Sequence, residues 1–158
     1  VTFTKEQPDP SPVYDGSACA IVAEGVDNIV FQDFSLVYTG TYYVAGSSYF
    51  GVVSGLYIKD CNDVVVSRVE ATGFNCTGVQ LTSTAPALSL RNSVEECYLH
   101  HNRQSGCYSD YQKFVTVRNC KLEYNGDSRD GGTGYGFSAN TNGNNEDLLI
   151  TENHTYRN

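Results

Sequence analysis

Tyr108 and Asp110 stand two residues apart, and Tyr57 and Lys59 repeat that spacing. In an extended strand, residues two apart share a face, so each pair sets a phenol ring beside an ionisable group. Gln80 with Thr82, and Ser138 with Asn140, fall at the same spacing after a glycine. Aligned on that glycine, they make two outward columns. One is Tyr57, Gln80, Tyr108 and Ser138; the other is Lys59, Thr82, Asp110 and Asn140. Tyrosine rings offer stacking faces for sugars, and amides and hydroxyls offer hydrogen bonds. Lys59 and Asp110 add one charge of each sign. Such a strip suits an extended saccharide chain, with a bare solvated sheet face as the alternative. Tyr108 works as an acid or base only if neighbours bring its pKa well below about 10.

Other reactive residues carry weaker signals. His100 and His101 end a strand-like stretch, where a surface position is the ordinary outcome. The run Asn125-Gly126-Asp127-Ser128-Arg129-Asp130-Gly131-Gly132 is rich in oxygen donors for Ca²⁺, but lacks the EF-hand spacing and reads as a loop. The six cysteines, Cys19, Cys61, Cys76, Cys97, Cys107 and Cys120, include no C-x-x-C pair, which argues against zinc. They fit either disulfides of a secreted protein or buried thiols. Sequons occur at Asn75-Cys76-Thr77 and Asn153-His154-Thr155. Asn75 is the expected glycan site, since the repeat described next turns Asn153 inward. These features together point to an extracellular or cell-surface location.

The elements that position these residues follow from an internal repeat. The frame Val94-x-x-Cys97-x-Leu99-x-x-Asn102 returns as Val117-x-x-Cys120-x-Leu122-x-x-Asn125, and as Ile150-x-x-Asn153-x-Thr155-x-x-Asn158. Upstream, Val66-x-x-Val69-x-Ala71 is followed by Asn75, one residue late, and Phe31-x-x-Phe34-x-Leu36 is a further copy. Before the later copies come Gly55, Gly78, Gly106 and Gly136, at spacings of about 20 to 30 residues. Short strands at that period, without helical periodicity, define an all-β fold: a parallel β-helix, or β-solenoid, of about five to six coils. Inward columns are expected at Leu56, Val79, Cys107 and Phe137, and at Ile58, Leu81, Ser109 and Ala139. Cys97 and Cys120 stack, as a thiol ladder or a disulfide. Asn102, Asn125 and Asn158 form an amide ladder in a turn. Residues 1–17, with Pro8, Pro10 and Pro12, read as an irregular lead-in to the β-helix domain at 18–158. Residues 39–53 and 125–135 read as loops leaving it.

Composition bounds the partners. The chain has 158 residues, 18 acidic against 10 basic, and a net charge of -8. Nucleic acid is excluded as a partner, because phosphate neutralisation needs a basic surface. No apolar run reaches the ~18 residues of a membrane span. No methionine is present. The chain is expected to be a processed form or part of something longer, and the open ends of a solenoid invite end-to-end self-association.

A family resemblance adds to this. Residues 64–158 carry Val66-Ser67-Arg68-Val69-Glu70, Ser93-Val94, His100-His101-Asn102 and Ser109-Asp110-Tyr111-Gln112. Asn119-Cys120-Lys121-Leu122-Glu123-Tyr124-Asn125 and Gly136-Phe137 follow. This block resembles the catalytic module of mannuronan C5-epimerases, right-handed parallel β-helices that convert mannuronate to guluronate within alginate. The resemblance implies an acidic polysaccharide as partner and a C5-epimerase or lyase-like reaction. It gives Asp110 a place at the active site and makes Lys59 the candidate for the family's catalytic lysine one coil upstream. Tyr108 completes the candidate catalytic set. Tyr57, Gln80, Thr82, Asn140, Arg129 and Lys113 are the candidate substrate-binding residues. No particular cofactor is fixed by these residues; Ca²⁺ could bridge a polyanion to a protein of this charge. The family signature Tyr-Gly-Phe-Asp-Pro-His corresponds here to Thr77-Gly78-Val79-Gln80-Leu81-Thr82, so Gln80 and Thr82 hold the Asp and His places. The alternative function is a structural β-solenoid of a surface, cell-wall or filament assembly.

Overall fold

In a computed structural model, residues 2–4, 19–39, 54–126, 134–140 and 145–158 are described, and none of them is helical. Each coil opens on a strand of one five-stranded parallel sheet. Its strands are β2 (Ile21–Glu24), β4 (Ser54–Lys59), β6 (Thr77–Thr82), β10 (Ser105–Ser109) and β14 (Tyr135–Ala139). A second sheet, of nine strands, closes the coils. Its early members are the long strands β3 (Val30–Val37) and β5 (Val65–Thr72). In later coils each long strand is replaced by two short ones: β8 (Ser93–Glu95) with β9 (Tyr98–His100), β12 (Thr116–Arg118) with β13 (Lys121–Glu123), and β15 (Leu149–Thr151) with β16 (His154–Tyr156). A third sheet pairs only β7 (Ser89–Leu90) with β11 (Gln112–Lys113). The lead-in segment is not wholly irregular: Thr2–Thr4 (β1) pairs with β3, because the edge of β3 offers unpaired backbone groups to an extended strand.

The repeat and the register agree. Phe31, Val66, Val94, Val117 and Ile150 are successive partners, as are Leu36, Ala71, Leu99, Leu122 and Thr155. In the five-stranded sheet the expected inward column runs Leu56, Val79, Cys107, Phe137. A coil cannot bury its apolar face alone, but stacking leaves Leu56, Val79, Leu99 and Leu122 with no exposure. Each such side chain contributes about 1.5–3 kcal/mol of burial.

The corners are also repeated. Asp33, Arg68, Glu96, Asn119 and Glu152 all have φ between 50° and 60°, and they mark the bend that divides the second sheet into two halves. Left-handed φ costs an ordinary residue about 1–2 kcal/mol, and hydrogen bonds between coils hold it: Glu96 N–H donates to Arg118 O at 3.0 Å. Asp33 and Arg68, in adjacent coils, further join through a two-pronged ion pair at 2.6 and 2.9 Å.

Cysteines and asparagines fill the interior beside these corners. All six cysteines are thiols, so the disulfide alternative is corrected. Cys97 and Cys120 stack as a ladder in which Cys97 N–H donates to the Cys120 sulfur at 3.5 Å and each thiol donates to a carbonyl of the preceding coil. Asn153 continues the column, its Oδ1 accepting from Cys120 N at 2.9 Å and its Nδ2 donating to Val117 O at 2.8 Å. At the turn, Asn102, Asn125 and Asn158 form the expected amide ladder. In the upstream coil Phe74, not Asn75, occupies that place, since Phe74 N–H donates to Asn102 Oδ1. Asn75 is wholly buried, so its sequon offers no attachment point on the folded surface, which corrects the expected glycan site. The ladder also explains the glycine column. A Cβ on Gly78 would lie 2.8 Å from Gly106 O and 3.0 Å from Asn102 Nδ2. One on Gly106 would lie 2.8 Å from Gly136 O and 3.1 Å from Asn125 Nδ2.

Candidate functional site

The five-stranded sheet turns two polar columns outward. Tyr57, Gln80, Tyr108 and Ser138 are in register across β4, β6, β10 and β14. Lys59 pairs with Thr82, and the next two coils continue the column through Asp110 N–H donating to Leu81 O and Asn140 N–H donating to Ser109 O. The strip expected from spacing therefore exists: Tyr57, Lys59, Gln80, Thr82, Tyr108 and Ser138 stand on strands, and Asp110 and Asn140 directly follow the ends of β10 and β14. Its parallel register sets neighbours about 4.8 Å apart.

The side chains of the strip are mutually tied. Gln80 Oε1 accepts from Ser54 Oγ at 2.8 Å, which fixes the amide over the start of β4. Lys59 Nζ pairs with Glu24 Oε1 at 2.6 Å. Hydrogen bonding to Glu24 raises the Lys59 pKa, so this group stays an ammonium and does not serve as a base. Asp110 Oδ2 accepts from Asn140 Nδ2 at 3.0 Å. Asp110 Oδ1 is buried and holds no hydrogen bond among the described residues. A buried acceptor without a donor costs about 1–3 kcal/mol, which a ligand hydroxyl donating to this oxygen would offset.

Tyr108 departs from the condition set by its chemistry. Burial, and then the Asp110 charge beside it, push its phenol up to about 12. Burial also raises Tyr57, partly opposed by the nearby Lys59 ammonium. Tyr108 is thus a neutral hydroxyl at ordinary pH, able to donate a hydrogen bond but not to abstract a C5 proton. Gln80 and Thr82 do not titrate. Epimerisation needs both a base and an acid on opposite faces of the sugar. Among the described strip residues, Asp110 alone carries a carboxyl group.

The raised phenol has a measurable consequence. The fold favours the protonated form of Tyr108, so that stabilisation is complete below pH 10 and is lost as pH rises towards 12. Urea denaturation of the parent and of Tyr108→Phe across this window should show the parent losing stability more steeply. Equal slopes would mean that Tyr108 titrates as free tyrosine does.

Two candidate binding residues do not join the strip. Lys113 lies on β11 in the third sheet, paired with Glu146 at 2.7 Å and set over the Phe114 ring. Alternation within one strand could not reveal this, because the chain turns a corner after Asp110. Arg129, with most of the Asn125–Gly132 run read for Ca²⁺, lies outside the described residues. Gln112, part of the family-like segment, is wholly buried and accepts from Asn92 Nδ2 at 2.8 Å, a structural position.

A second polar cluster lies on the nine-stranded sheet. His100, expected at the surface, is largely covered: it packs its ring on Tyr98 at 3.9 Å between centroids and pairs with Glu70 at 3.1 Å. His101 stacks on Tyr124 at 5.0 Å. The repeat frame itself held the signal: the variable positions on either side of Leu99, Leu122 and Thr155 stack on one outer face.

The whole architecture has a family. Residues 11–158 match the right-handed β-helix region family. The chain belongs to this family, and its fold is accordingly a right-handed parallel β-helix. Neither a curated protein nor a solved structure matches the chain.

Proposed function

We propose that this protein is an extracellular or cell-surface β-helix module that binds an acidic polysaccharide of the uronan class along the outer face of the five-stranded sheet. The observation that carries the reading is the in-register strip of Tyr57, Gln80 and Tyr108 beside Lys59, Thr82 and Asp110, with one Asp110 oxygen holding no hydrogen bond among the described residues. The Tyr57 and Tyr108 rings stand two strands apart, with Gln80 between them, and present stacking faces to alternate sugars. Thr82 and Asn140 supply hydrogen bonds, and Lys59 meets a carboxylate after exchanging its Glu24 contact. The resemblance to mannuronan C5-epimerases points to the same substrate class. The protonation states favour binding over turnover: Lys59 is held as a cation, Tyr108 as a phenol, and Gln80 and Thr82 replace the family's aspartate and histidine.

The test is titration with oligomannuronate and oligoguluronate, with and without Ca²⁺, together with proton NMR in heavy water. The expected result is saturable binding, weakened by Asp110→Ala and by Tyr108→Ala, with no exchange of the C5 proton. Exchange at C5 would replace the binding reading with an epimerase. Absence of binding under every condition would leave a structural solenoid.

A further inference from the structure

We propose a second acidic-saccharide site, on the outer face of β9, β13 and β16 and the turns that follow them, where a chain running along the helix axis would meet the Tyr124 and Tyr156 rings and the Lys121 and Arg157 cations. The proposal rests on the polysaccharide reading above for its ligand class and on a different sheet for its geometry.

The surface is a grid created by the repeat. Three outward columns cross three coils. Tyr98, Lys121 and His154 make the first, and His100, Glu123 and Tyr156 the second. His101, Tyr124 and Arg157 make the third, at the left-handed turn position of each coil. The rings are continuous over these coils. Tyr98 stacks on His100, His101 stacks on Tyr124 at 5.0 Å, and Tyr124 meets Tyr156 edge-on at 5.5 Å. Tyr124 and Tyr156 remain 37% and 42% exposed, so ring surface is open to a ligand on this face.

The cations on this face are held differently from five others among the described residues. Lys59, Arg68, Arg91, Lys113 and Arg118 each hold a carboxylate at 2.6 or 2.7 Å. Lys121 and Arg157 hold none among the described residues. They lie over ring faces instead, Lys121 Nζ at 5.7 Å from Tyr98 and Arg157 Cζ at 5.0 Å from Tyr156. The carboxylates of the face are already occupied on all four oxygens. Glu70 is engaged by His100 and Ser35, at 3.1 and 2.9 Å. Glu123 is engaged by His154 and Tyr98, at 2.9 and 3.2 Å. The donors left for a ligand are therefore cationic and the flat surfaces aromatic. That pairing recognises a sugar through the C–H face of its ring and through its carboxylate. A neutral saccharide would use the rings but leave the cations unanswered.

The experiment titrates the isotope-labelled protein with oligomannuronate and, separately, with neutral oligomannose, following backbone amide shifts. The expected result is perturbation at Tyr98–His101, Lys121–Tyr124 and His154–Arg157 by the acidic ligand, with far weaker response to the neutral one. Replacing both cations, Lys121→Gln with Arg157→Gln, should weaken the acidic ligand's binding at these amides by about tenfold or more, as expected for loss of charge-assisted hydrogen bonds. Tyr156→Ala should weaken it independently. Both changes lie on exposed side chains, and an unchanged amide spectrum elsewhere would confirm that the variants are folded. If the shifts are confined to Tyr57, Lys59, Gln80, Tyr108 and their neighbours, and the double variant binds as the parent does, this site is overturned while the first reading stands. An equal response to the neutral ligand also overturns it. If no amide responds to either ligand, both readings fall together.

Discussion

Asn125→Ala is expected to destabilise the protein by about 2–4 kcal/mol, although it removes only a polar side chain. Asn125 is buried at the centre of the amide ladder. Its Oδ1 accepts from both the backbone N–H and the side-chain Nδ2 of Asn102, at 3.2 and 3.1 Å. Its Nδ2 donates to Leu99 O and to Asn158 Oδ1, each at 3.0 Å. Alanine takes the acceptor from the buried Asn102 backbone N–H and removes one hydrogen bond each from Asn102 Nδ2, Leu99 O and Asn158 Oδ1. Asn125→Asp is a useful comparison: it keeps an acceptor for Asn102 but loses the donation to Leu99 and sets a charge against Asn158 Oδ1. Urea titration is the measurement. A loss below about 1 kcal/mol for the alanine variant would mean that the ladder does not tie one coil to the next.

Leu122→Ala should cost roughly 2–5 kcal/mol, the range for fully buried leucines that leave a cavity. Leu122 has no exposure and lies between Leu99 and Thr155 in the inward column. Its side chain also packs against the glycine column, coming within 3.1 Å of where a Cβ on Gly106 would stand. The strands on both sides are held by regular parallel pairing, so the cavity cannot collapse without disturbing neighbouring coils. Thr155→Ala provides the control. It changes the same column one coil later, where the side chain is exposed, and it should cost far less. Similar losses for the two variants would show that the C-terminal coil is covered in solution.

The fold was legible because a solenoid writes its geometry into the sequence at a fixed period. Val94, Cys97, Leu99 and Asn102 recur at the same offsets one coil later because each must match the residue stacked on it. The inward columns, the thiol ladder site and the Asn102–Asn125–Asn158 ladder followed from that alone. The strip of Tyr57, Gln80, Tyr108, Lys59, Thr82 and Asp110 was legible for the same reason, since alternation along a strand assigns faces. The upstream turn was not, because Phe74 fills the asparagine place and shifts Asn75 into the core. A side chain's fit to a turn is decided by what packs against it, and here the Phe74 ring sits against Gly55.

What sequence alone determined, then, is the class of fold, the register of its repeats and the outward set of residues on one sheet, since all three depend on periodicity. Tertiary structure decided the matters that depend on distance between side chains. It kept Cys97 and Cys120 as stacked thiols, raised rather than lowered the Tyr108 phenol, and moved Lys113 around a corner to Glu146. It also joined Glu70 to His100 across coils while leaving Lys121 and Arg157 over aromatic rings. Burial and pairing act through the local dielectric and through a few ångströms of separation, and residues 20 or more apart in the chain acquire those separations only when the coils stack.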